Sequence, residues 1–226
     1  MVLSFQGVSK IFGDQTRALD DVSFTLNAGE FVFLVGPSGA GKTTIMRLVV
    51  RHLLPSQGSI HIGEMDVGKL PKSRIPLLRR KIGMVFQDFK VLSDRTVFEN
   101  IAIALEILGK SEHEIEKKVM EVLGLVGLDR RMRYFPTQLS AGELQRIAIA
   151  RAIVAGPAVL LADEPTGNLD PTTSWEILKI LKEINKMGTT ILMATHNSDI
   201  VNSMRKRVIT MKKGKIAGDE KEGKYK

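Results

Sequence analysis

The chain has 226 residues and a mass of 25.0 kDa, with 33 lysines and arginines against 25 acids, no cysteine and a formal charge of +8. That length builds one domain with a substantial core, and 43% hydrophobic with 26% charged residues excludes a disordered chain. The lack of cysteine excludes a disulfide scaffold, a thiolate zinc site and a thiol nucleophile, while the positive balance points to an anionic partner: nucleic acid, phosphate or a membrane surface.

A membrane span needs about 20 mostly apolar residues. The longest weakly polar run, Ala152 to Ala162, is broken by Gly156 and Pro157. The first residues, MVLSFQGVSK, lack the pattern of an export signal, so the chain is expected to stay in the cytoplasm.

In chain order, Val2 to Phe5, Val22 to Leu26 and Phe31 to Val35 read as strands, partly antiparallel, with a turn at Asn27–Glu30. Phe31 to Val35 is apolar throughout, as a buried parallel strand requires. An amphipathic helix follows (Ile45, Met46, Leu48, Val49), then strands at 58–63 and 82–87. Apolar residues recurring at three and four predict helix over 96–128, and another helix spans 143–155. Val159 to Ala162 and Thr190 to Thr195 are further strands, with a helix from Thr173 to Met187 between them. Val208 to Ile216 reads as a hairpin turning at Lys213-Gly214, and the charged tail from Gly218 is expected to fray. The order predicts a single α/β domain: a core of 1–87 and 156–226, interrupted by a helical insert of about 88–155.

Three strings carry chemistry. Gly36-Pro37-Ser38-Gly39-Ala40-Gly41-Lys42-Thr43, continuing to Thr44, follows a strand and opens a helix, the context that confirms a phosphate loop. Its glycines let several N–H groups point at one anion, Lys42 can reach the β- and γ-phosphates, and Thr43 can ligate Mg²⁺. Asp163 and Glu164 end an apolar strand, where Asp163 is placed to hold Mg²⁺ through water and Glu164 to polarise the attacking water. No guanine-specific N-K-x-D loop is present, because Asn185-Lys-Met-Gly188 has glycine where aspartate is required, and this favours ATP. Third, Leu139-Ser140-Ala141-Gly142-Glu143-Leu-Gln-Arg146 stands just ahead of the 143–155 helix. In one monomer this is a second anion site without a phosphate loop of its own.

That string resembles the signature motif of ABC-type ATPases, with Ala141 replacing its first glycine. The resemblance implies a P-loop NTPase fold: a mixed sheet core, an antiparallel β subdomain and a helical insert. It assigns Gln87, 45 residues after Lys42, to the Q-loop and the Mg²⁺ site, Asp170 to the D-loop, and His196 to the switch histidine. Phe12 falls where an aromatic stacks on adenine, though a core role suits it too. If Ala141 had to adopt a left-handed conformation, its methyl would cost about 1 kcal/mol. Two ATP would bind between head-to-tail copies, each phosphate loop facing Ser140–Glu143 of the other copy.

Within the superfamily, Leu77-Leu-Arg-Arg-Lys-Ile-Gly-Met-Val-Phe-Gln-Asp-Phe-Lys90 and Arg95-Thr-Val-Phe-Glu-Asn100 resemble the cell-division family FtsE. The string Ala162–Asp170 is shared with lipoprotein-releasing and macrolide-export ATPases. The FtsE resemblance implies peripheral attachment to the cytoplasmic face of the inner membrane through an FtsX-like permease, within the division machinery, and control of cell-wall hydrolases. It also implies that Asp88, Phe89, Lys90, Val91 and Leu92 dock that partner, with Phe89 exposed. A nucleic-acid ATPase is disfavoured: only 5% of residues are aromatic, and the length leaves no room for a coiled-coil insertion.

The positive charge is local. Residues 69–81 hold six lysines and arginines and no acid, and residues 205–226 hold nine against three acids. The first cluster suits anionic lipid headgroups as well as it suits a solvated helix face.

Overall fold

In the computed structural model, which describes residues 2–225, the chain runs β1 (Leu3–Ile11), β2 (Arg17–Leu26), β3 (Phe31–Val35), α1 (Lys42–Val49), β4 (Gln57–Ile62), β5 (Met65–Asp66), α2 (Ile75–Arg80) and β6 (Ile82–Val85). Three helices follow, α3 (Val97–Glu106), α4 (Glu112–Val126) and α5 (Ala141–Ile153). Then come β7 (Val159–Asp163), α6 (Pro171–Lys186), β8 (Thr190–Ala194), α7 (Ser198–Met204), β9 (Arg207–Lys212) and β10 (Lys215–Glu220).

The strands form an antiparallel sheet of order β2-β1-β4-β5 and a six-stranded sheet of order β10-β9-β3-β8-β7-β6, parallel except for β10. The central strands are buried on both faces, and alternation sorts their side chains into two cores. Phe31, Phe33 and Val35 join the α3–α6 side chains, whereas Val32 and Leu34 join β1, β2, β4 and α1. Each such side chain contributes roughly 1.5–3 kcal/mol on burial.

The register decides where function can sit. Asp163 pairs with Ala194, and Val85 with Ala162. The carboxyl ends of β6, β7, β8 and β3 therefore finish side by side, and the loops that leave them share one edge.

Several boundaries differ from expectation. The 96–128 helix is two helices, because Gly109 takes a positive φ of 69° and Ser111 starts α4 with its own capping box. The strand expected to end at Gln87 ends at Val85, leaving Phe86 outside it and Gln87 at the start of a turn. The helix expected from 143 begins at Ala141, because Ser140 caps it and Glu143 reaches back to Ser140. The tail does not fray through its described length. Residues 218–220 belong to β10, the N–H of Gly223 donates to the Lys206 carbonyl, and Tyr225 exchanges two hydrogen bonds with the Asn202 side chain. Lys226 lies outside the described residues. No helix among the described residues is long and apolar enough to cross a membrane.

Candidate active site

A cleft of about 550 Å³ opens at the shared sheet edge, lined among others by Ser38, Gly39, Ala40, Gly41, Lys42, Thr43 and Thr44 with Gln87, Asp163, Glu164 and His196. Four neighbouring strands supply it: β3 leads to the loop, β7 to the acids, β8 to His196 and β6 to Gln87.

The loop can curl only because its glycines lack side chains. Gly41 has φ 107° at the start of α1, and a Cβ there would meet the Leu19 side chain and the Ala18 carbonyl. Lys42 is 8% exposed, and its Nζ donates to the carbonyls of Gly36 (2.7 Å) and Pro37 (3.2 Å). Gly36 and Pro37 thus belong to the frame around Lys42 rather than to the lining of the cleft.

The two acids sit in different settings. Burial pushes the Asp163 carboxyl above the usual carboxylate range, and the neighbouring Glu164 charge pushes it further. Thr43 pulls it back: its Oγ1 donates to Asp163 Oδ1 at 3.5 Å, and Lys42 and Arg47 act the same way. Glu164 holds a left-handed backbone, φ 50°, fixed by its N–H on the Ala194 carbonyl and its carbonyl on the Gly167 N–H, both 3.0 Å. A non-glycine residue in this conformation stores strain that the surrounding structure must hold. Its Oε2 lies 3.0 Å from Nδ1 of His196, whose side chain is 67% exposed and faces the cleft.

Gln87 and Asn168 exchange amides. Gln87 Nε2 donates to Asn168 Oδ1 (3.2 Å), and Asn168 Nδ2 donates to the Gln87 carbonyl (3.3 Å). This leaves Gln87 Oε1 available as an oxygen ligand beside Thr43 and Asp163. Sequence reading gave Asn168 no role of its own and did not single out Ala18, which also lines the cleft. The D-loop string marked the neighbourhood of Asn168, whereas nothing local marks Ala18.

Ser140, Gly142 and Glu143 line a different, smaller cavity with Arg146, Thr173 and Glu176. The Ser140 Oγ accepts from the Glu143 N–H, and the Glu143 carboxylate accepts from both the Ser140 N–H and its hydroxyl, each at 2.9 Å. These bonds to Ser140, and the Arg131 guanidinium 3.2 Å away, hold the Glu143 carboxyl below the usual range. Ala141 has no positive φ, so its methyl carries no left-handed cost. Asp170 caps α6 through the Thr173 N–H and lies outside the cleft. Gln145, fully buried, donates to the Pro165 carbonyl at 2.6 Å and ties α5 to the loop after Glu164. Phe12 also lies outside the cleft lining, with Lys10 Nζ 5.3 Å from its ring centre.

The loop after Gln87 is held from two sides. Arg151 donates to the Phe89 and Lys90 carbonyls, and buried Asn100 bonds the Leu92 backbone through both ends of its amide. Phe89 is only partly exposed and Val91 packs against the core, so the exposed aromatic beside this loop is Phe86, at 40%. A larger cavity of about 1050 Å³ lies under α4, bordered by Gly156–Pro157 and Gly188–Thr189. Those loops precede β7 and β8, so it opens at the amino edge of the sheet, away from the acids.

Residues 19–167 match the ABC transporter family. The chain is 52% identical over 224 residues to the cell division ATP-binding protein FtsE of Bacillus subtilis, covering 99% of this chain and 98% of that protein. It is 49% identical to FtsE of Mycobacterium tuberculosis (100% and 98% covered) and 45% identical to that of Escherichia coli K12 (96% and 98%). Among solved structures, the ATP-binding cassette MJ0796, dimeric and bound to ADP and Pi, superposes with a TM-score of 0.87 at 32% identity, covering 99% of this chain and 100% of that one. CbiO1 of Clostridium perfringens, part of the transporter complex CbiONQ, gives 0.91 at 32% identity (97% and 88% covered). The chain belongs to the FtsE group of the ABC transporter family, and it is an ABC-type ATPase.

Proposed function

We propose that the chain is the ATPase subunit of an inner-membrane complex with an FtsX-like permease, acting on the cytoplasmic face as an ATP-dependent head-to-tail homodimer. In this reading, turnover serves cell division through control of cell-wall hydrolases, and nucleic acid has no part. The core (1–87 and 156–226) holds one ATP and the helical subdomain (about 88–155) presents Ser140–Glu143 to the ATP of the other copy.

The observation that carries this reading is the division of anion-binding groups between two cavities. The phosphate loop, Lys42, Glu164 and His196 line one, while Ser140, Gly142 and Glu143 line the other. A single copy offers each ATP half of its contacts; two antiparallel copies complete both.

Within the site, the loop N–H groups and Lys42 bind the phosphates. Thr43 Oγ1, Asp163 and the free Oε1 of Gln87 are hard oxygen donors with a single carboxylate, a set that suits Mg²⁺ sharing its shell with water and phosphate. The raised Asp163 pKa fits this: two adjacent acids in a partly buried setting favour a nearby cation. When bound, the cation would neutralise charge that develops on the β- and γ-phosphates. Glu164 accepts the proton of the attacking water as its oxygen bonds to the γ-phosphorus and the bond to the β-phosphate oxygen breaks. His196 Nδ1 fixes the orientation of that carboxylate, and its exposed ring can also reach the γ-phosphate. Asp88–Leu92, pinned by Arg151 and Asn100, is a preformed ledge for a permease helix, with Phe86 beside it.

The test is Glu164→Gln with ATP and Mg²⁺ in light scattering. A nucleotide-trapped dimer is expected; a protein that remains monomeric at saturating ATP overturns the head-to-tail arrangement. Recovery of a different permease in a pull-down from membranes would overturn the FtsX-like assignment alone.

A further inference from the structure

From Val67 to Gln87 the chain carries no aspartate or glutamate, and the whole basic cluster of 69–81 falls within that stretch. Neither the phosphate site nor the permease ledge uses residues 69–81. The structure shows how it is held. Arg51 donates to the carbonyls of Val67 (2.6 Å), Gly68 (3.1 Å) and Leu70 (3.3 Å), and Arg79 donates to the carbonyl of Val50 (3.1 Å). The segment is therefore fastened to the end of α1 by two guanidinium groups, which leaves its other cations pointing outward.

Lys72, Arg74, Arg80 and Lys81 are all exposed and take part in no ion pair among the described residues. Lys69 has Asp66 at 3.5 Å. Two apolar side chains emerge on the segments so joined, Leu77 of α2 and Leu54 just past α1, each 46% exposed. The second basic region differs. There Arg207 is paired with Glu30 and Asp219, and Lys215 with Asp20, while Arg205, Lys206, Lys212, Lys213, Lys221 and Lys224 take part in no ion pair among the described residues, and no large apolar side chain is exposed beside them.

We propose that the surface formed by α2 and its flanks is a contact for an anionic lipid bilayer, made by this chain directly and not through a permease. Unpaired cations meet the phosphate headgroups, and Leu77 and Leu54 enter the boundary beneath them, the combination that holds peripheral proteins at a charged interface. Charge complementarity selects the anionic surface, and the exposed leucines select a lipid over a hydrated polyanion. Residues 65–85 contain no aromatic side chain on which a nucleic-acid base could stack.

The experiment is flotation of the purified full chain with permease-free vesicles, of phosphatidylcholine alone or mixed with phosphatidylglycerol. Binding is expected only to the mixed vesicles and is expected to weaken as salt rises. Lys72→Ala with Arg74→Ala should lower the partition coefficient by about fivefold per charge. Leu77→Asn should lower it while leaving the salt dependence in place. Neither change touches the phosphate site, so ATPase rate and melting temperature should stay at the parent values. Equal flotation with neutral vesicles overturns the proposal. So does binding that survives Lys72→Ala with Arg74→Ala but is lost on Lys212→Ala with Lys213→Ala, which would move the contact to the other basic region. Comparable affinity for a single-stranded oligonucleotide at the same salt would make the surface a general polyanion site and overturn it as well.

Discussion

At the carboxyl edge of the parallel sheet, Asp163 is half-buried beside Glu164 and its pKa is raised, Glu164 sits in a left-handed backbone, and the Lys42 ammonium is almost wholly withdrawn from water. At the start of α5 the opposite holds. Ser140 and Glu143 satisfy each other in a reciprocal cap, Arg131 stands beside the glutamate, and its pKa is lowered. The first region holds charge that its own residues leave poorly balanced, the setting that the proposed binding of ATP with Mg²⁺ would use. The second is complete by itself, and in the proposed dimer a phosphate arriving there would have to take the Ser140 donors from the Glu143 carboxylate. One region gives up stability for chemistry; the other contributes stability and must exchange part of it to act.

This contrast can be broken by substitution. Glu164→Gln should lower phosphate release by about a thousandfold, the usual scale for a lost general base; a variant retaining more than about a tenth of the rate would remove Glu164 from that role. Lys42→Ala should weaken ATP binding by about ten- to a hundredfold, the worth of a charged hydrogen bond, as read by calorimetry. Ser140→Ala acts on the other region and should cost about 1 kcal/mol of stability in chemical denaturation, the usual loss for a helix cap. ATP binding to the monomer should be unchanged, and loss of it would mean that the two regions are not separate. Asp163→Asn should have the smallest effect and the opposite sign, raising the melting temperature of nucleotide-free protein at neutral pH.

The sign of that last effect follows from linkage. Asp163 titrates higher in the folded chain than its ordinary 3.8, so the folded state binds its proton more tightly. Its ionisation therefore lowers stability as pH rises through that window, and the advantage of the Asp163→Asn variant over the parent should vanish once pH falls below the ordinary value. Glu143 runs the other way. Its pKa is depressed from 4.5, so its contribution is present above that value and is lost as pH falls through the folded pKa. Melting curves of Asp163→Asn and Glu143→Gln across acid pH should therefore change in opposite senses relative to the parent.

Much of this edge was legible in the residues. Phe31–Val35, Val159–Asp163 and Thr190–Ala194 are continuous apolar runs because both faces of those strands are buried, and each is followed by the polar group it delivers. Less was legible where structure depends on distant partners. α2 carries Pro76 and four basic neighbours and has little apolar period of its own; it forms at the end of α1, held by Arg79 on Val50. α7 is seven residues long and starts on the Asn197 cap. Phe89 looked exposed because Arg151, which secures its loop, lies 62 residues away. Ser140 read as a waiting anion site because the sequence shows the donors but not that Glu143 already holds them.

The exchange between Gln87 and Asn168 has a consequence for how this chain can drift over evolutionary time. Each residue gives one hydrogen bond and receives one, across 81 positions of sequence. Because Asn168 bonds the main-chain carbonyl of residue 87, a change at 87 frees only the Asn168 side-chain oxygen, whereas a change at 168 frees both the Gln87 side-chain donor and that carbonyl. Both residues are exposed, so water can take the freed groups, and the identity at 168 should constrain the chain more than the identity at 87 does.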